Sequence, residues 1–247
     1  MSHPPPLSET YRRLVDRCPA LDVRLLAADE AIDPQEWVAP AQFEQRMPEL
    51  IAGETTRIRE RYGCAVPPHV AAARLLHHYL WSVGLLVGGP WYLTGRVPRL
   101  GGEQVWLAPR SGSIAFRPAL ESGSSAGAAG GDPYEVVAAH VAPVLAAFRP
   151  VAKRGARALW GMVTDDLVSA LWYLGRMLDQ EEAAVARAER LLPGGAGFRR
   201  LPGTAGREHL TRTRAGCCLF YAIRPAEACL TCPRTPDAER VCRLESE

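Results

Sequence analysis

The sequence predicts a predominantly helical α+β protein with a small antiparallel sheet and a cysteine-rich C-terminal loop. Three observations predict it. Apolar residues recur at helical spacing over several long stretches. Between residues 91 and 117 that period gives way to short aromatic and β-branched runs separated by Gly and Pro. Five of the seven cysteines fall in the last 31 residues.

In chain order, residues 49–62 read as a polar helix closed by Gly63, a usual place for a left-handed C-terminal residue. Pro68 opens a core helix in which Val70, Ala73, Leu76, Leu80 and Val83 share a face. WYLTG, VWLAP and SIAFR then read as a small antiparallel meander, completing an N-terminal region of residues 1–120. ESGSSAGAAGG, residues 121–131, reads as a flexible linker or loop. Asp132 can cap the next helix, Pro133 suits its first turn, and Glu135 can reach back to the cap amide. Residues 156–192 continue as helix, with Leu159, Trp160, Val163, Leu167, Leu171, Leu174 and Leu178 in an apolar stripe. This helical region, 132–208, ends in PGGAGFRRLPGTAG, read as loop. The tail, 209–247, holds GCCLFYAI as a short strand followed by the cysteine-rich loop. No repeat of 20 to 50 residues is present.

Composition narrows the function. At 247 residues, 47% hydrophobic and 23% charged, the chain is globular and long enough to bury a core without disulfides. A net charge of +2 is too balanced for a nucleic-acid binder. The N-terminus lacks the apolar stretch of a secretory signal. The most apolar region, residues 70–93, is interrupted by Arg74, His77, His78 and several Gly, so no membrane span is expected. A cytoplasmic location is therefore expected, and in a reducing compartment clustered cysteines are metal ligands or catalytic thiols rather than disulfides. An odd count of seven also fits a disulfide scaffold poorly.

The cysteines that carry the argument are Cys217-Cys218, ten residues, then Cys229-Leu230-Thr231-Cys232-Pro233. Four thiolates admit tetrahedral zinc or an iron–sulfur cluster. Structural zinc usually takes two separated C-x₂₋₄-C pairs, and only the second pair here has that form. Adjacent cysteines on an extended strand point to opposite faces, so bringing both to one ion needs a distorted backbone. A two-iron cluster is wider and accepts less convergent sulfurs, and Pro after the last ligand recurs at iron–sulfur sites. The spacing favours the cluster and leaves zinc open.

The pattern C-C-x₁₀-C-x₂-C near the C-terminus resembles the signature of the FhuF-like ferric siderophore reductases. Arg212 and Arg214 before the pair, Leu219 and Tyr221 after it, and Pro233 after the last cysteine agree with that resemblance. Leu159-Trp160-Gly161 resembles the family's "LWGN" segment, with Met162 in place of Asn. The resemblance implies a [2Fe–2S] cluster ligated by Cys217, Cys218, Cys229 and Cys232. It also implies one-electron reduction of ferric siderophores, of hydroxamate type above all, in the cytoplasm. No nicotinamide or flavin motif is visible, so electrons are expected from an external donor such as a ferredoxin or flavodoxin. The rival readings are a zinc-stapled binding module and an iron–sulfur electron carrier without siderophore activity.

Other residues take plainer readings. Cys242 is expected to be a free thiol, and Cys18 and Cys64 to be small apolar packing residues. His77 and His78 diverge on a helix, one buried and one exposed; Asp165 and Asp166 are expected on a solvated face. Trp91, Trp106, Trp160 and Trp172 are expected in the core or at an interface, though they could line a pocket for a bulky chelate. Six arginines against three acids between residues 211 and 243 read either as a positive surround for the cluster or as a solvated tail.

Overall fold

The computed structural model describes residues 7–18, 20–118, 131–192 and 194–246. Its helices are α1 (Leu7–Arg17), α2 (Phe43–Tyr62), α3 (Pro68–Thr94), α4 (Pro133–Ala152), α5 (Ala156–Met177), α6 (Glu181–Leu191) and α7 (Asp237–Ser246). Its strands are β1 (Val23–Leu25), β2 (Val105–Leu107), β3 (Ile114–Phe116), β4 (Phe198–Pro202) and β5 (Glu208–Arg212). The expected linker lies outside the described residues except for Gly131.

The apolar run after Pro68 becomes the central helix because it is hydrophobic nearly all round. Ala71, Ala72, Leu75, Leu76, Tyr79, and Leu85 to Val87 are all fully buried. Helices α1, α2, α4 and α5 pack around it. Contrary to the expectation for residues 70–93, α3 is long and apolar enough to cross a membrane, as is α4, by length and composition alone. In α3, 78% of the most apolar window is buried inside the fold, as in a core helix. The signals at the helix ends hold: Gly63 closes α2 with φ 68°, and the Asp132 carboxylate accepts the Tyr134 amide at the start of α4.

Three local readings are corrected. The segment WYLTG is not a strand: α3 runs on through Pro90 to Thr94, where the Tyr92 hydroxyl donates to Gln180 across to the α5–α6 turn. The third strand is instead β1, parallel to β3 with Val23 opposite Ile114, while β2 runs antiparallel to β3. Thus the sheet is mixed. The helix expected over residues 156–192 breaks at residues 178–180, where Asp179 is left-handed, giving α5 and α6. The expected loop PGGAGFRRLPGTAG supplies β4, which pairs antiparallel with β5. The hairpin positions the tail: Phe198 lies opposite Arg212, so the chain leaves β5 directly over α5.

Candidate metal centre

The centre is built on α5. Asp165 and Asp166 were expected on a solvated face, yet both are 0% exposed. Their helix is covered by α3 on one side and by the residues after β5 on another. Adjacent helical positions diverge, and here each direction meets its own cation. Asp165 Oδ1 accepts from Arg212 Nη2 at 2.6 Å, and its Oδ2 accepts the Gly216 amide at 2.6 Å. Asp166 Oδ1 accepts from Arg214 Nη2 at 2.6 Å and lies 2.8 Å from His77 Nδ1. Burial tends to raise both carboxyls. At Asp166 the Arg214 and His77 charges outweigh it and hold the carboxyl below its ordinary range. At Asp165 burial prevails over Arg212 and Arg214. Of the histidine pair, His77 is partly buried, with an 18% exposed side chain, and His78 is exposed.

The paired charges dock the cysteine segment. Gly216 comes so close to α5 that a Cβ there would lie 2.7 Å from Met162 N and Cγ and 3.0 Å from Ala158 O. Gly161 faces the same contact from the helix side. Met162, in the segment resembling "LWGN", is thus a buried seat for the residue just before the cysteine pair. Residues 215–219 are not a strand: the chain turns, Leu219 is left-handed (φ 61°), and a short 3-10 helix follows over Phe220–Ala222. That is the backbone distortion which adjacent cysteines need in order to serve one centre.

The second pair is held by its own bonds. The Cys232 amide donates to Cys229 O at 2.9 Å, and the Arg214 amide to Thr231 O at 2.9 Å, which joins the two cysteine segments. Arg240, 1% exposed, reaches from α7 to the carbonyls of Leu230, Cys232 and Thr235. Arg154 Nη2 reaches Cys217 O at 3.4 Å. The expected positive surround is therefore corrected. Arg212 and Arg214 pair with Asp165 and Asp166, Arg224 with Glu227, Arg240 with Asp237, and Arg243 with Glu239. Arg234 lies over the Tyr221 ring at 4.4 Å. Most of these arginines hold the loop in shape rather than charge its surface.

Of the four expected cysteines, the structure brings Cys218 and Cys229 into contact and leaves Cys217 and Cys232 within electrostatic reach of the others. Cys218 and Cys232 are buried at 3% and 2% exposure, and Cys217 and Cys229 are partly exposed. The Cys229 thiol donates to Cys218, and His77, Arg74 and Arg214 add positive potential there, so the Cys218 thiol is pushed down to about 4. Cys229, as donor and half-enclosed, is pushed up. Burial raises Cys217, while the Leu219 amide bonded to it and the Arg154 charge act the other way. Cys232 lies within electrostatic reach of both Cys217 and Cys229. Among the described residues no three His, Cys, Asp or Glu side chains converge as one small ion would require. The donors are soft thiols, the chemistry that iron–sulfur clusters and zinc both accept. Cys242 is exposed on α7, and Cys18 is buried in the core as expected. Trp106 is buried, while Trp91 and Trp160 pack partly buried against the core.

Sequence reasoning missed Asp165, Asp166 and His77 as parts of the site. Their partners lie 47 to 89 residues away, and only the pairing of an Asp-Asp with an Arg-x-Arg hinted at them. A comparison with curated proteins finds no match. Residues 214–234 match the family model described as the FhuF 2Fe-2S C-terminal domain, a span that contains all four cysteines. The chain is FhuF-like in this C-terminal segment, and its cofactor is a [2Fe–2S] cluster.

Proposed function

We propose that the protein is a cytoplasmic ferric-siderophore reductase in which Cys217, Cys218, Cys229 and Cys232 hold the cluster. The observation that carries the reading is the FhuF-type match across a loop that holds all four cysteines, two of them partly exposed. A [2Fe–2S] centre supplies one electron at a time, which is what a chelated Fe³⁺ needs to become Fe²⁺. Siderophores hold Fe³⁺ through hard oxygen donors, and the larger, less acidic Fe²⁺ is held far more weakly, so reduction is release. No side chain is required as nucleophile or general base. The work of this chain is to fix the sulfurs: Asp165 and Asp166 anchor the first cysteine pair through Arg212, Arg214 and the Gly216 amide, and Arg240 anchors the second. The Leu219 amide at Cys217 is a hydrogen bond of the kind that tunes a cluster's potential. A ferredoxin or flavodoxin is the proposed source of electrons.

The test is a single turnover. Protein reduced anaerobically and freed of reductant is mixed with ferric siderophores in the presence of an Fe²⁺-trapping chelator. The reading requires one Fe²⁺ trapped per reduced cluster, with recovery of the oxidised visible spectrum. A cluster that stays reduced with every ferric chelate, yet is reoxidised by a redox protein, would make this chain an electron carrier instead.

A further inference from the structure

A cleft of about 660 Å³ opens between α2 and α3 and reaches Ser169 on α5 and Arg214 beside the cysteine loop. That volume lies within the usual range for small-molecule sites. Its charges are unequal. Arg57 is committed to Glu54 and to the carbonyls of Pro109 and Arg110, and Arg214 to Asp166. Asp22 accepts from the Ser113 hydroxyl at 2.6 Å. Arg61 and Arg74 also line the cleft, and among the described residues neither has a carboxylate partner at ion-pair distance. Arg61 lies over the Tyr62 ring at 5.4 Å. Arg74 lies over the Phe220 ring at 5.0 Å and touches His78 at 3.1 Å.

The cleft shares a wall with the metal centre. Phe220 is two residues beyond Cys218 and packs edge-on against Tyr62, ring centroids 5.7 Å apart. Arg74, His77 and Arg214 line the cleft, and all three lie within electrostatic reach of Cys218. A molecule seated there meets two guanidiniums with no carboxylate at ion-pair distance, although Arg74 also acts electrostatically on the buried Glu54 of the same cleft, and an aromatic face beside the cysteine pair.

We infer that this cleft is the docking site for the ferric chelate and that it selects anionic chelates, those of catecholate or hydroxycarboxylate type, over neutral or cationic hydroxamates. The inference rests on the reductase reading and replaces the hydroxamate preference that the family resemblance implies. The chemistry is a difference in charge. Three hydroxamates neutralise Fe³⁺, whereas three catecholates leave a triply negative complex, and hydroxycarboxylates also leave an excess of negative charge. Arg61 and Arg74 supply charge-assisted donors to those oxygens, and Tyr62 and Trp81 supply flat apolar surface to an aromatic ligand.

The test separates binding from reduction by using Ga³⁺, which has the charge and donor preference of Fe³⁺ and is redox-inert under these conditions. Calorimetry on the oxidised holoprotein compares gallium tris-catecholate, a gallium hydroxycarboxylate and gallium tris-hydroxamate. The expected result is that at least one anionic complex binds more than tenfold tighter than the hydroxamate. Arg61→Gln and Arg74→Gln should each weaken it about tenfold, the loss of one charge-assisted contact. Arg12→Gln, on α1 and outside the cleft, should not weaken it, and the visible spectra of all three variants should show the cluster retained. Which anionic arm binds identifies the donor type. Equal affinity for the neutral complex, or anionic binding unchanged in both cleft variants, overturns the assignment. If the gallium complexes bind with this dependence and the ferric ones are not reduced, the reductase reading fails and the cleft stands. If ferric chelates are reduced with no dependence on Arg61 or Arg74, the reductase stands and the cleft assignment falls.

Discussion

Asp165→Asn keeps the volume of the side chain and removes its charge at the point where the cysteine segment meets α5. The carboxylate has Arg212 Nη2 at 2.6 Å, the Gly216 amide at 2.6 Å and Arg214 Nε at 3.8 Å, all in buried surroundings. An amide keeps one acceptor oxygen and turns an NH₂ toward a donor, so either Arg212 or Gly216 loses its partner. An exposed pair would contribute at most about 1 kcal/mol. Removing one member of a buried pair strands the other charge and costs about 3–5 kcal/mol. For a chain of this length that corresponds to a fall in Tm of roughly 6–20 °C. Urea denaturation of the apo protein measures the loss, and the visible absorbance of the holoprotein measures cluster retention, expected to fall as well. The double variant Asp165→Leu/Arg212→Met removes both charges together and should be less damaging than the sum of the single changes. A single variant within about 1 kcal/mol of the wild type, with full iron content, would show that this network does not hold the loop.

Gly216→Ala drives a methyl to within 2.7 Å of Met162. It should cost about 1–3 kcal/mol and lower iron occupancy, since the backbone atoms Met162 N and Ala158 O also stand in the way; an unchanged iron content would refute the seat. Cys229→Ser should lose or weaken the cluster while Cys242→Ser keeps it, as iron analysis of the two purified variants would show. His140, buried and bonded to the Tyr79 hydroxyl, has its pKa pushed down by burial to about 4. The unfolded chain therefore binds the extra proton first as pH falls. The stability from neutral His140 is complete above about pH 6.5 and lost progressively toward pH 4, about 3 kcal/mol in all. Urea midpoints between pH 7 and 4.5 should fall more steeply for the wild type than for His140→Gln; parallel slopes would contradict this.

The helices were legible because their signals are local. The apolar face after Pro68, the closing Gly63 and the Asp132 cap each depend on residues a few positions apart. The cysteine spacing was legible for the same reason, and it pointed to a two-iron centre before any contact was visible. The three-residue strands β1 to β3 are too short to display a period, and β1 pairs with residues 91 positions further along the chain. The β4–β5 hairpin was hidden by its glycines and prolines, which read as loop. The most consequential misreading was Asp165-Asp166. Two adjacent acids on a helix look solvated until the partners arriving from residues 212 to 216 are known, and that is information of the tertiary fold. The arginines were misread in the same way, since their charge is visible in sequence and their commitment to buried partners is not.

The claim on which the account rests is that the four cysteines of the C-terminal loop hold two irons. Anaerobic visible and EPR spectra of the purified protein, before and after dithionite, with iron, sulfide and zinc analysis, test it most directly. The account predicts iron and acid-labile sulfide in equal amounts, two of each per chain, and a rhombic signal that appears on reduction. A colourless, EPR-silent protein carrying one zinc in fresh anaerobic preparations would contradict it.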